Sequence, residues 1–196
     1  MPSVYSTVRA SGSKDSSIEK SLRLAKAPYI NFIEFHFQIL IFPLTYSTKH
    51  IMNSHTQQYP IGKFEKPPII TSGILSEWIS FLESFPSLLT QEVSHLSDQQ
   101  LDTPYRYGGW TVRQVIHHCA DSHINAFCRI KLAITENTPV IKPYYEDLWA
   151  ELADTLTMPI ETSLNILKGL HQRWVILLKS LSNEFLEKTF IHPEHQ

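Results

Sequence analysis

From Ile160 to Leu181 the large side chains fall at steps of 4, 3, 4, 3, 4 and 3: Ile160, Leu164, Leu167, His171, Trp174, Leu178, Leu181. That spacing places all seven on one stripe of a helix and is incompatible with a strand, whose faces alternate every second residue. A stripe of this width needs a partner to bury it. Two other segments offer one. Residues 71–95 carry Ile74, Leu75, Trp78, Ile79, Leu82, Phe85, Leu88, Leu89 and Val93 at helical spacing, with Pro86 inside, where it is expected to kink the helix or break a turn. The next begins at Thr111 and ends before Pro139, with a seam of Val112, Val115/Ile116, Cys119, Ala126/Phe127, Ile130 and Ala133/Ile134. Its T-x-x-Q opening, Thr111 to Gln114, is a capping box.

The stretch between these two, SDQQLDTPYRYGGW, reads as a loop, and YYEDLWAELA (144–153) as one short helix. The last long helix is expected to open with Pro159 in its first turn and Glu161 near its positive end. No segment alternates as a strand does, and no repeat is present. The fold class expected is all-α, an antiparallel helix bundle with three long helices. Bundles favour an even count, so a fourth helix is expected to close the core.

Residues 1–58 lack any such period and read as an irregular extension, disordered or outside the domain, and 59–196 as the bundle; the domain proper is expected to begin near Met52, with 1–51 an appended or spurious extension. Charge follows the same division. Residues 1–51 hold six Lys/Arg and three acids (+3), and 52–196 hold eleven and sixteen (-5). An acidic domain without a basic patch excludes nucleic acid as a partner. Cys119 and Cys128, about 13.5 Å apart along one helix, cannot bridge each other, which suits a reducing, cytoplasmic setting. The most apolar window, residues 27–46, carries Asn31, Glu34, His36 and Gln38 and does not read as a membrane span.

RQVIHHCADSH, residues 113–123, gathers three histidines and an aspartate on the second long helix. With Val112 on the apolar line, His123 falls about 20° from it, His118 about 120° to one side and His117 about 140° to the other. The expectation is His123 in the core, His118 at its edge, and His117 with Asp121 towards solvent. His117 with Asp121 (i, i+4) and His118 with Asp121 (i, i+3) are ligand spacings, but neither gives three donors. Surface hydrogen bonding is the plainer reading of either pair, and core packing that of His123 and His171. His192 and His195, in H-P-E-H, are a weak metal signal. Gly-rich phosphate loops and G-x-S-x-G are absent, and Cys119 lies on the apolar face as inert packing.

Taken in order, YPIGKF, then LDTPYRYGGWTVRQVIHHCADSHINAFCRIKLAITENTPVIKPYYEDLWAEL, then LHQRW and FIHPEH resemble the YfiT group of the DinB-like superfamily, metal-dependent hydrolases or bacillithiol transferases. The resemblance spans about Tyr59 to His195. It implies a four-helix up-down-up-down bundle and a divalent metal (zinc or nickel type) held by three histidines. One comes from the second helix, eight residues after the Trp of G-W-T-V, which is His118 here; His117 is its neighbour. Such an open site activates a bound water or a thiolate.

The resemblance also implies an H-x-x-x-H on the last helix, beyond the H-P-E-H loop in which this sequence stops. On that reading the chain is incomplete and inactive alone, binds its ion only when the fourth helix is supplied, and exposes an apolar groove. The expected partner is a small-molecule substrate, with a low-molecular-weight thiol among the candidates and a homodimer as the candidate assembly. The competing expectation is a non-catalytic three-helix remnant or helix-binding module.

Overall fold

The computed structural model describes residues 22–23 and 67–193. The elements are β1 (Leu22–Arg23), α1 (Ser72–Val93), α2 (Asp98–Leu101), α3 (Val112–Thr135), α4 (Glu146–Ala150), α5 (Ala153–Thr157), α6 (Glu161–Ser180), α7 (Asn183–Leu186) and β2 (Thr189–Phe190). Three long helices therefore carry the described fold. No helix among the described residues is long and apolar enough to cross a membrane.

The three expected stripes form one core. From α1 it takes Ile79, Leu82, Phe85, Leu89 and Val93, from α3 Val115, Ile116, Cys119 and Phe127, and from α6 Leu164, Leu167, Trp174 and Val175. Helix α6 packs on both α1 and α3. The bundle class holds, but strict up-down alternation does not extend to α3 and α6. Along that pair His117 meets Ser163, His123 meets His171 and Phe127 meets Trp174. Residue numbers rise together on the two helices, so they run parallel. Parallel neighbours need a connection that travels the length of a helix. Residues 139–158 supply it, and we call this segment the strap.

The strap runs back along α3. Arg129 Nη2 donates to the Lys142 carbonyl (3.1 Å), Gln114 Nε2 to the Ala150 carbonyl (2.9 Å), and Arg113 Nη1 to the Met158 carbonyl (3.1 Å). Its far end is tied by Ile141 N–H to the Ile191 carbonyl and by Ile191 N–H to the Pro139 carbonyl. The single expected helix over 144–153 is two, α4 and α5, broken at Glu151–Leu152.

Local chemistry explains most boundaries. Thr111 and Gln114 close the expected capping box, with Gln114 N–H on Thr111 Oγ1 (3.1 Å) and Thr111 N–H on Gln114 Oε1 (2.8 Å). The segment read as a loop holds a second box, Ser97 with Gln100, which starts α2. Pro159 precedes α6 rather than entering its first turn, with Ile160 at the N-cap. Leu22–Arg23 pair antiparallel with Thr189–Phe190.

Pro86 does not break α1. It has no N–H to give the Leu82 carbonyl four residues back. His171 Nδ1 lies 2.6 Å from that carbonyl, so α6 supplies the donor that α1 lacks.

Candidate metal centre

His117 and His118 are adjacent in sequence and differently employed. His117 is buried, not turned to solvent as its helical angle suggests. Its Nε2 lies 3.1 Å from the Met158 carbonyl and its Nδ1 2.7 Å from Ser163 Oγ. A carbonyl only accepts, so Nε2 carries the proton and Nδ1 takes one from the serine hydroxyl. Both ring nitrogens are thus committed to protein, and neither can bind a metal. Burial, the largest influence, holds its pKa below the ordinary value; the Met158 contact works the other way.

His118 is also buried, and its ring lies against Trp110, centroids 4.7 Å apart. The loop before α3 sets that contact. Gly108 has φ +66°, which favours glycine, and a Cβ at Gly109 would come within 2.6 Å of the Arg106 side chain and 3.0 Å of Tyr105. G-G-W is therefore a backbone requirement for seating Trp110 beside α3.

At 100° per residue, Asn125 and Arg129 fall within about 20° of the His118 line, Ser122 about 40° to one side and Asp121 about 60° to the other. These five form one polar stripe beneath the strap. Asp121 is half-buried, and its carboxyl is pushed up to about 6, first by burial and then by the charge of Asp154. On the strap, Tyr144 sits beside Ser122. Burial, then Glu146 and Asp121, push its phenol above the ordinary range against smaller pulls from Arg129 and Ser122, so it stays a hydrogen-bond donor.

His123 and His171 are core residues, as expected. Leu82's carbonyl fixes the proton of His171 on Nδ1, so His171 Nε2 accepts from His123 Nδ1 at 2.8 Å. Phe85 and Trp174 pack around the pair. His192 follows β2 and is half-buried; His195 lies outside the described residues. Cys119 is buried, with its thiol pushed up by desolvation, and Cys128 is exposed; both are free.

Among the described residues no three His, Cys, Asp or Glu side chains come together to hold a metal ion. They do not make a complete centre by themselves. The expected ligand, His118, is buried on α3 against Trp110. Sequence reasoning missed Ser163, Tyr144 and Arg129. The faint signal for Ser163 was the Met158–Pro159 turn, which brings it back onto α3.

A profile described as the DinB superfamily matches residues 82–196. The chain belongs to the DinB superfamily. A protein of Oceanobacillus iheyensis named "Putative metal-dependent hydrolase" is 56% identical over 138 residues, covering 70% of this chain and 80% of its own. A Bacillus cereus protein of the same name is 54% identical over 137 residues, covering 70% and 79%. Among solved structures, Bacillus subtilis YfiT matches with a TM-score of 0.67 at 47% identity, over 69% of this chain and 77% of that one. YfiT is described as a probable metal-dependent hydrolase with an unusual four-helix bundle topology. In this DinB-superfamily chain α3 and α6 run parallel.

Proposed function

We propose that the chain is a metal-dependent hydrolase in which His118 is the α3 ligand of a divalent ion of zinc or nickel type. A complete centre of that kind needs further donors besides His118. The observation that carries this reading is the division of labour in His117-His118. The first histidine spends both nitrogens holding the α5–α6 junction, while the second, buried against Trp110, heads a half-buried polar stripe. The relatives' names support the hydrolase reading. When bound, such an ion acts as a Lewis acid that lowers the pKa of a water or a low-molecular-weight thiol. The chain's own residues place a small-molecule substrate: Tyr144 donates a hydrogen bond and Asp121 accepts one.

The test is metal content of the purified chain after exposure to zinc or nickel. His118→Ala should lower occupancy by about tenfold or more, since first-sphere loss exceeds the 10–100-fold range of outer-sphere changes. Equal occupancy in wild type and His118→Ala, or none in either, sinks the assignment.

A further inference from the structure

The polar stripe of α3 continues past His118 to Arg129, nearly on the same line and about 16 Å further along the axis. Helical side chains lean towards the N-terminus, which shortens that reach. Arg129 gives one guanidinium nitrogen to the strap, Nη2 to the Lys142 carbonyl at 3.1 Å. Its Nε is buried with no hydrogen-bond partner among the described residues; the Tyr144 hydroxyl is buried too, with Ser122 nearby but no partner within hydrogen-bond distance. The Lys142 carbonyl that Arg129 reaches is two residues from Tyr144, so both side chains belong to the same stretch of the strap. Both unsatisfied groups are donors. A buried donor without an acceptor costs stability, so an acceptor from a ligand is the natural complement.

We propose that Arg129 and Tyr144, beneath the strap, bind the carboxylate of a small ligand. Guanidinium and carboxylate geometries match, and the phenol, kept protonated, adds a second donor. The charges of Asp121 and Glu146 also act on the phenol. They repel a dianion and favour a ligand with one carboxylate and an adjoining N–H. The class that fits is an N-acyl amino acid. Its role as a substrate subsite rests on the reading of His118 above; the binding itself does not.

N-acetylglycine, titrated into the metal-free full chain, tests this at the Arg129 Nε–H nuclear magnetic resonance, identified by its loss in Arg129→Lys. N-acetylglycinamide, which differs only in lacking the charge, is the control. The acid should shift the resonance saturably and the amide should not. Arg129→Lys keeps a charge but loses the fork; followed by titration calorimetry, since its resonance is gone, it should bind the acid about tenfold more weakly. Tyr144→Phe should also weaken binding, with the resonance still present. No shift with the acid, or an equal shift with the amide, overturns the proposal. So does undiminished affinity in both variants. Because no metal is present, this result stands or falls apart from metal occupancy in His118→Ala.

Discussion

His171 Nδ1 lies 2.6 Å from the carbonyl oxygen of Leu82, the one acceptor in α1 that Pro86 leaves without its helical donor. A defect in one helix is repaired by a side chain of its neighbour. The repair fixes the tautomer of His171, which in turn fixes that of His123.

The repair makes the two positions energetically coupled. In wild type, His171→Leu removes the side-chain donor to that carbonyl and should cost about 2–4 kcal/mol, from the lost bond and the unsatisfied buried groups together. In a Pro86→Ala background the backbone N–H restored at that position can satisfy Leu82, and the same change should cost about 1–2 kcal/mol less. Urea unfolding of the four chains gives the coupling. Strict additivity would show that the contact carries no energy of its own.

Acid should destabilise the fold in a defined window. Burial holds His171 down to about 4, against 6.5 in the unfolded chain; the Leu82 contact opposes this more weakly. Above pH 6.5 both states are neutral. Between 6.5 and 4 the unfolded chain takes up a proton that the folded one refuses, so stability falls as pH falls, by about 3 kcal/mol, and then levels. His117 shifts in the same direction and adds to the slope. Unfolding free energies from pH 7.5 to 4 check this, and His171→Gln should flatten the curve.

Asp121 has the opposite sign. Its carboxyl is pushed up to about 6, so the folded state holds the proton more tightly than the unfolded chain. Stability from this group is therefore lost as pH rises from 3.8 through 6. Asp121→Asn should raise the melting temperature by a few degrees, about 2–4 °C, at pH 7.5 and leave it nearly unchanged at pH 4. An equal gain at both pH values would mean the charge is not the cause.

Periodicity located the three long helices because each buries a continuous stripe, and the Thr111–Gln114 box marked one start to the residue. His117 escaped it. Its angle on α3 faces away from the core seam, and what covers it arrives from Met158 and Ser163, 41 and 46 residues later. The parallel course of α3 and α6 was hidden for the same reason. Direction is set by the strap, whose two short helices bury little and leave Leu148 and Leu152 exposed, so they carry no stripe to read. Pro86 was legible as a defect but not as a repaired one, since the donor lies 89 residues away. Spacing set His118 at the edge of the core and His117 towards solvent; the ligand role proposed for His118 comes only from the family's motif.

The Met158 carbonyl receives both Arg113 and His117, while the other end of the strap is held through Ile141 and Ile191. Read as mechanics, that is a band clamped at both ends and spanning a polar floor. The entropy of closing so long a loop is spent once, at the clamps. The middle, around Tyr144, is kept over α3 by Arg129 and Gln114, so two short helices with little core of their own take their order from the helix they cross.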